Sequence, residues 1–157
     1  MAHVNYDRKT LRLLLGIVLV GFAISAFGHN EMLDVKFFYT GEFAQVYFSL
    51  LSGAQAKACL RGGILDLVFI HFYSSLIWYE FTRLLGQSRM RWAAMLPVGF
   101  DVIETVSIVL ILLTGVIPNN LDWLGIATAC KWTTGAIVFV WWLLLFFKRR
   151  GQAHSSL

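Results

Sequence analysis

The sequence predicts an all-α fold: a polytopic membrane four-helix bundle, with an amphipathic interfacial helix between the first and second spans. Three observations predict it. Apolar residues make up 58% of the chain and charged residues 14%, well under the roughly 25% charge of an average soluble domain. Four runs come close to or exceed the about 20 apolar residues that cross a bilayer. The Lys and Arg residues gather beside those runs, so the net charge of +4 reads as membrane orientation and attraction to anionic headgroups. No basic patch with interleaved stacking aromatics is present, which argues against nucleic acid as a partner.

The spans are expected at Leu11–Gly28, Gly62–Leu85, Trp92–Ile117 and Leu121–Phe147, leaving no room for a soluble domain in residues 1–157. The first follows a basic stretch and ends in small residues, an order shared with secretory signals; we read it as a retained helix. Gly21 and Ser25 give it a small-xxx-small face for close packing. Between the first two spans, Phe43, Tyr47, Leu50, Leu51 and Ala54 recur at helical spacing. This predicts one helix over about 41–56, lying flat at the interface or covering the helix ends as a lid. Pro97 sits early in the third span, where a missing amide donor is tolerated. Trp92, Trp123, Trp141 and Trp142 fall near span boundaries, as interfacial aromatics do.

Orientation follows from the flanks. Arg8, Lys9 and Arg12, then Arg83, Arg89 and Arg91, then Lys148, Arg149 and Arg150 all fall on one side of such a bundle. By the positive-inside rule that side is cytoplasmic, with both termini there, and a bacterial inner membrane is the expected location.

Ionisable residues inside a bilayer cost about 2.5–3.5 kcal/mol each on insertion scales, so they mark either structural pairs or functional sites. The candidates for ligand or proton binding are Asp66, His71, Tyr73 and Glu80 in the second span, Asp101 and Glu104 in the third, and Lys131 in the fourth. Asp66, Tyr73 and Glu80 are seven apart and share one helix stripe, expected to face inward. His71, Ser74, Ser75, Trp78 and Thr82 form a second stripe roughly 140° away, suited to a neighbouring helix or a second protomer. Lys131 shares a face with Thr134 and Val138.

At ~1.5 Å per residue, Lys131 lies about 12–15 Å from the outer end, Glu104 about 20 Å and Asp101 about 24–27 Å. Glu104 is therefore the preferred partner of Lys131, with Asp66 as the other choice. Glu80 has Arg83 one turn away, and Asp101 has Arg89 and Arg91 nearby, so structural salt bridges are the favoured reading for both. His71 reads as a hydrogen-bonded packing residue or as a proton carrier.

Cys59 and Cys130 fit neither a CxxC motif nor a metal set of roughly four ligands, and HxxxH and ExxH spacings are missing. No metal or cofactor is expected. Leu65-Asp66, Asp101-Val102-Ile103-Glu104 and Lys131-Trp132 together resemble a family of small, uncharacterised bacterial four-helix membrane proteins. The resemblance spans most of the chain and implies an inward polar cluster of Asp66, Asp101, Glu104 and Lys131, with no activity attached. Where that family often has Asn after the Glu, this chain has Thr105. Quinone-linked disulfide oxidases need paired cysteines. Small multidrug exporters are shorter and use a Glu in helix 1, which here has no acidic residue. The sterol-isomerase and sigma-2-like group offers only an analogy.

Three functions fit these residues. The first is binding or transport of a small amphiphilic or polar ligand at the polar cluster, with Glu104 protonation uncoupling Lys131. The second is a lipid-modifying enzyme with an acid/base pair drawn from His71, Glu104 and Asp66. The third is an accessory subunit whose charges meet a membrane protein partner, or a homo-oligomer.

Overall fold

The computed structural model describes residues 8–27, 33, 36–86 and 89–155. Among the described residues it contains five α-helices and no strand. They are α1 (Arg8–Phe27), α2 (Gly41–Leu50), α3 (Gly53–Leu85), α4 (Leu96–Thr114) and α5 (Asp122–Ser155), with a 3₁₀ turn at Arg89–Met95 before α4. Four of these elements, α1, α3, α5 and α4 with its 3₁₀ turn, are long and apolar enough to cross a membrane. The chain is a multi-pass membrane protein.

Local chemistry sets the helix boundaries. The expected 41–56 helix stops at Leu50, because Ser52 begins a new helix. Its hydroxyl accepts from the Gln55 amide, and the Gln55 side chain accepts in return from the Ser52 amide. This reciprocal capping box satisfies donors that otherwise lack partners at a helix start. As a result, the second span begins at Gly53 rather than Gly62. The third span is shifted by three residues, running Arg89–Thr114, because Gly115, at φ 68°, ends α4 in the left-handed region, and its amide bonds back to Ile111. Pro97 occupies the first turn, where no amide donor is required. The fourth span runs Asp122–Lys148, and its helix continues to Ser155.

The helices neighbour one another in the order α1, α3, α4, α5, with α2 resting on α5. α4 is the most buried of the four spans, and α1 is an outer member that leans on α3. Of the two α1 glycines, Gly16 packs more tightly on α3 than Gly21 does. A Cβ at Gly16 would stand 2.5 Å from the Phe72 ring, whereas the nearest atom to one at Gly21 is 3.8 Å away. Ser25 is exposed and turns its hydroxyl back onto the Gly21 carbonyl.

α2 caps one end of the bundle. The face it buries is Gly41, Ala44 and Phe48, not the Phe43–Leu50 stripe; Phe43 and Leu50 are exposed. The Gly41 amide donates to Asp122 Oδ1 at 2.8 Å, and Gln45 Nε2 donates to the carbonyls of Pro118 and Asn119. α2 is thereby tied to the α4–α5 turn. Beneath it lies an apolar cluster of Leu33, Tyr39, Ala44, Phe48, Ile108, Ile111, Leu121 and Leu124. At the opposite end, which holds the start of α1 and the end of α5, Phe81, Ala94 and Val138 form a second cluster. Trp141 and Trp142 pack against that cluster instead of standing free at a boundary, with Trp141 4.9 Å from the Phe81 ring. Trp92 and Trp123 are exposed.

Candidate functional site

The Asp66–Tyr73–Glu80 stripe of α3 turns toward the protein, and each member finds a partner on another helix. Asp66 Oδ2 accepts from Thr105 Oγ1 at 2.7 Å, Tyr73 donates its hydroxyl to Asp101 Oδ2 at 2.5 Å, and Glu80 Oε1 accepts from Thr10 Oγ1 at 3.2 Å. A repeat of seven keeps three side chains on one face over about 20 Å of helix, so a single helix reaches two neighbours at three heights. Asp66 and Glu80 are buried.

Between α4 and α5 the polar groups converge. Lys131 Nζ lies 2.7 Å from Glu104 Oε2 and 3.0 Å from Asp101 Oδ1. Glu104 is completely buried. Its Oε1 accepts from Thr128 Oγ1 and, at 3.2 Å, from Tyr39 OH. Its Oε2 receives no aligned hydrogen bond and is held as an ion pair by the ammonium. Asp101, in turn, connects Lys131 to Tyr73. A chain of polar contacts thus runs from Tyr39 under the lid, through Glu104, Lys131 and Asp101, to Tyr73 on α3.

The expected pairing of Lys131 with Glu104 is present. Asp101 departs from the expectation of a salt bridge to Arg89 or Arg91, since its partners are Lys131 and Tyr73. The earlier end of α4 explains this. Counted back from Thr114, Glu104 is about 15 Å and Asp101 about 20 Å from the helix end, while Lys131 is about 14 Å from the start of α5. An extended lysine reaches both carboxylates at those heights. Glu80 does pair with Arg83, at 2.6 Å. His71 is exposed on the outer surface of α3 while Glu104 is fully buried, so the two do not share one site.

Two contributors, Tyr39 and Thr128, are missing from the sequence reading. Tyr39 lies in irregular chain ahead of α2, where no periodicity points to it. Its backbone sits so close to α5 that a Cβ on Gly125 would stand 1.9 Å from the Tyr39 carbonyl oxygen. Thr128 lies one turn before Lys131 on the face that also buries Leu121 and Leu124. Following that face toward Thr134 leads away from the cluster, because the Thr134 hydroxyl is occupied by its own helix at the Cys130 carbonyl.

Little space adjoins these groups. A cavity of about 10 Å³ is bordered by Thr105, Phe48, Cys59 and Ile108, and that volume holds a single water at most. Cys59 is buried beside Tyr47 OH, at 3.2 Å, and neither Cys59 nor Cys130 is in a disulfide. Among the described residues, no group of His, Cys, Asp and Glu is placed to hold a metal ion.

Fold and site together define a multi-pass α-helical membrane protein with an ionic centre. No protein-family model matches the chain, and neither a curated protein nor a solved structure matches it.

Proposed function

We propose that the chain is a proton-binding membrane module, in which protonation of the Glu104 carboxylate releases Lys131 and loosens α5 from α4. The observation that carries this reading is the charge count in the sealed centre. Asp101 and Glu104 share one ammonium, Lys131. An excess of carboxylates over cations is costly away from water, and a proton is the smallest ligand that relieves it. A proton also needs no cavity. The cavity of about 10 Å³ beside Thr105 is too small for an amphiphile.

The lipid-enzyme reading loses the support of a His71–Glu104 pair. The accessory-subunit or homo-oligomer reading draws on one feature, the exposure of His71 on the same face as the exposed Ile64 and Val68 of α3. The basic flanks support an inner-membrane location with both termini on the cytoplasmic side.

Infrared difference spectroscopy of the protein in liposomes, taken across a pH step, tests the proton-binding reading. A carboxylic-acid carbonyl band that appears in the wild type and vanishes in Glu104→Gln is the expected result. An identical spectrum for the two proteins would remove Glu104 as the proton site.

A further inference from the structure

At the end of the bundle away from α2, one cation is poorly matched by its surroundings. Arg91, on the 3₁₀ turn, lays its guanidinium over the Trp78 ring with 4.5 Å to the centroid, and the edge of Trp92 closes on Trp78 at 4.7 Å. Its Nε is buried and receives no hydrogen-bond partner. The described carboxylates nearest this end are committed elsewhere. Glu80 binds Arg83 and Thr10, and Asp101 binds Lys131 and Tyr73. No ion pair to Arg91 is present among the described residues.

A guanidinium stacked on an indole keeps its plane fixed and its terminal N–H groups aimed along that plane, the geometry that receives a phosphate through two parallel hydrogen bonds. The ring attraction is worth only about 0.5–2 kcal/mol and supplies no counter-charge. No described carboxylate supplies one, so an anion from the surroundings can complete the site. Trp92 is 63% exposed, and Arg89, two residues before Arg91, is exposed as well. The site therefore opens sideways at the level where a spanning helix meets headgroups, and basic pockets at such levels hold anionic lipids.

We propose that Arg91, stacked on Trp78 and bordered by Trp92, is a binding site for a phosphate oxyanion, supplied by an anionic phospholipid of the surrounding leaflet. The site is independent of the ionic centre and does not rest on the proton-binding reading.

Native mass spectrometry of the full chain in detergent tests this, with short-chain phosphatidylglycerol, short-chain phosphatidylcholine and inorganic phosphate as separate probes. The expected result is a saturable phosphatidylglycerol adduct, with phosphatidylcholine clearly weaker. Arg91→Gln should weaken phosphatidylglycerol about tenfold, as loss of a charge-assisted contact does, and Arg91→Lys, which retains the charge and guards against misfolding, should lose less. Arg89→Gln should change binding by less than about twofold, as expected for an unstacked, solvated charge. Competition by millimolar inorganic phosphate would identify the oxyanion as free phosphate rather than lipid; no competition supports the lipid. Wild-type affinity in Arg91→Gln, or an equal loss in Arg89→Gln, would overturn the proposal, because binding would then follow diffuse charge rather than this stacked arginine.

Discussion

The centre and the terminal end of this bundle both bury charge, but they treat it in opposite ways. In the centre, Glu104 takes two hydroxyl donors and an ammonium, and Lys131 bridges two carboxylates from the same helix face. At the terminal end, Thr82 Oγ1, Arg91 Nε and Trp142 Nε1 are buried without a hydrogen-bond partner, and the Arg83–Glu80 pair has its cationic half 44% exposed. Depth accounts for the difference. Groups far from either headgroup layer must be completed by the protein itself, whereas those near an interface have water and lipid phosphates within reach. In the centre the Lys131 ion pair covers the one acceptor without an aligned hydrogen bond, Glu104 Oε2, and the network fixes how α3, α4 and α5 pack, whereas the edge leaves donors for the membrane.

Three substitutions separate these regimes. The largest effect is expected from Lys131→Met, which strands Asp101 and Glu104 together without a cation and should destabilise the protein by about 3–5 kcal/mol. Thermal unfolding in detergent measures it; a loss under about 1 kcal/mol would mean the centre is hydrated and the contrast with the terminal end is false. Tyr73→Phe comes next. It removes one hydrogen bond to a charged acceptor but leaves Asp101 with Lys131, so a cost of about 1.5–3 kcal/mol is expected. A neutral result in the same measurement would place the restraint on Asp101 in the lysine alone.

Much of the fold was legible because hydrocarbon imposes a simple rule. Apolar runs of spanning length identify helices whatever their detailed packing, and the same rule marks Asp66, Asp101, Glu104 and Lys131 as residues that need partners. The seven-residue spacing of Asp66, Tyr73 and Glu80 showed which face of α3 turns inward, since helix geometry alone determines it. What remained hidden depended on short-range stereochemistry. The Ser52–Gln55 capping box divides one apparent amphipathic helix into α2 and the start of α3, and the left-handed turn at Gly115 ends α4 early enough to bring Asp101 within reach of Lys131. Tyr39 was out of reach because its position depends on an irregular segment meeting Gly125 across the bundle.

The smallest effect is expected at the terminal end, from Arg83→Gln. Arg83 lies 2.6 Å from Glu80, closer than Lys131 is to either of its carboxylates, so distance alone would rank this pair as the stronger. Its exposure argues otherwise: a cation in contact with water or headgroups gains little from a fixed partner, and Glu80 retains the Thr10 hydroxyl when the arginine is gone. The substitution should cost less than about 1 kcal/mol, and raising the ionic strength should shrink the difference further because screening acts on exposed charge. A loss equal to that of Lys131→Met, insensitive to salt, would show that the terminal end is as dry as the centre. Arg91 would then lie in a closed interior, out of reach of any lipid phosphate.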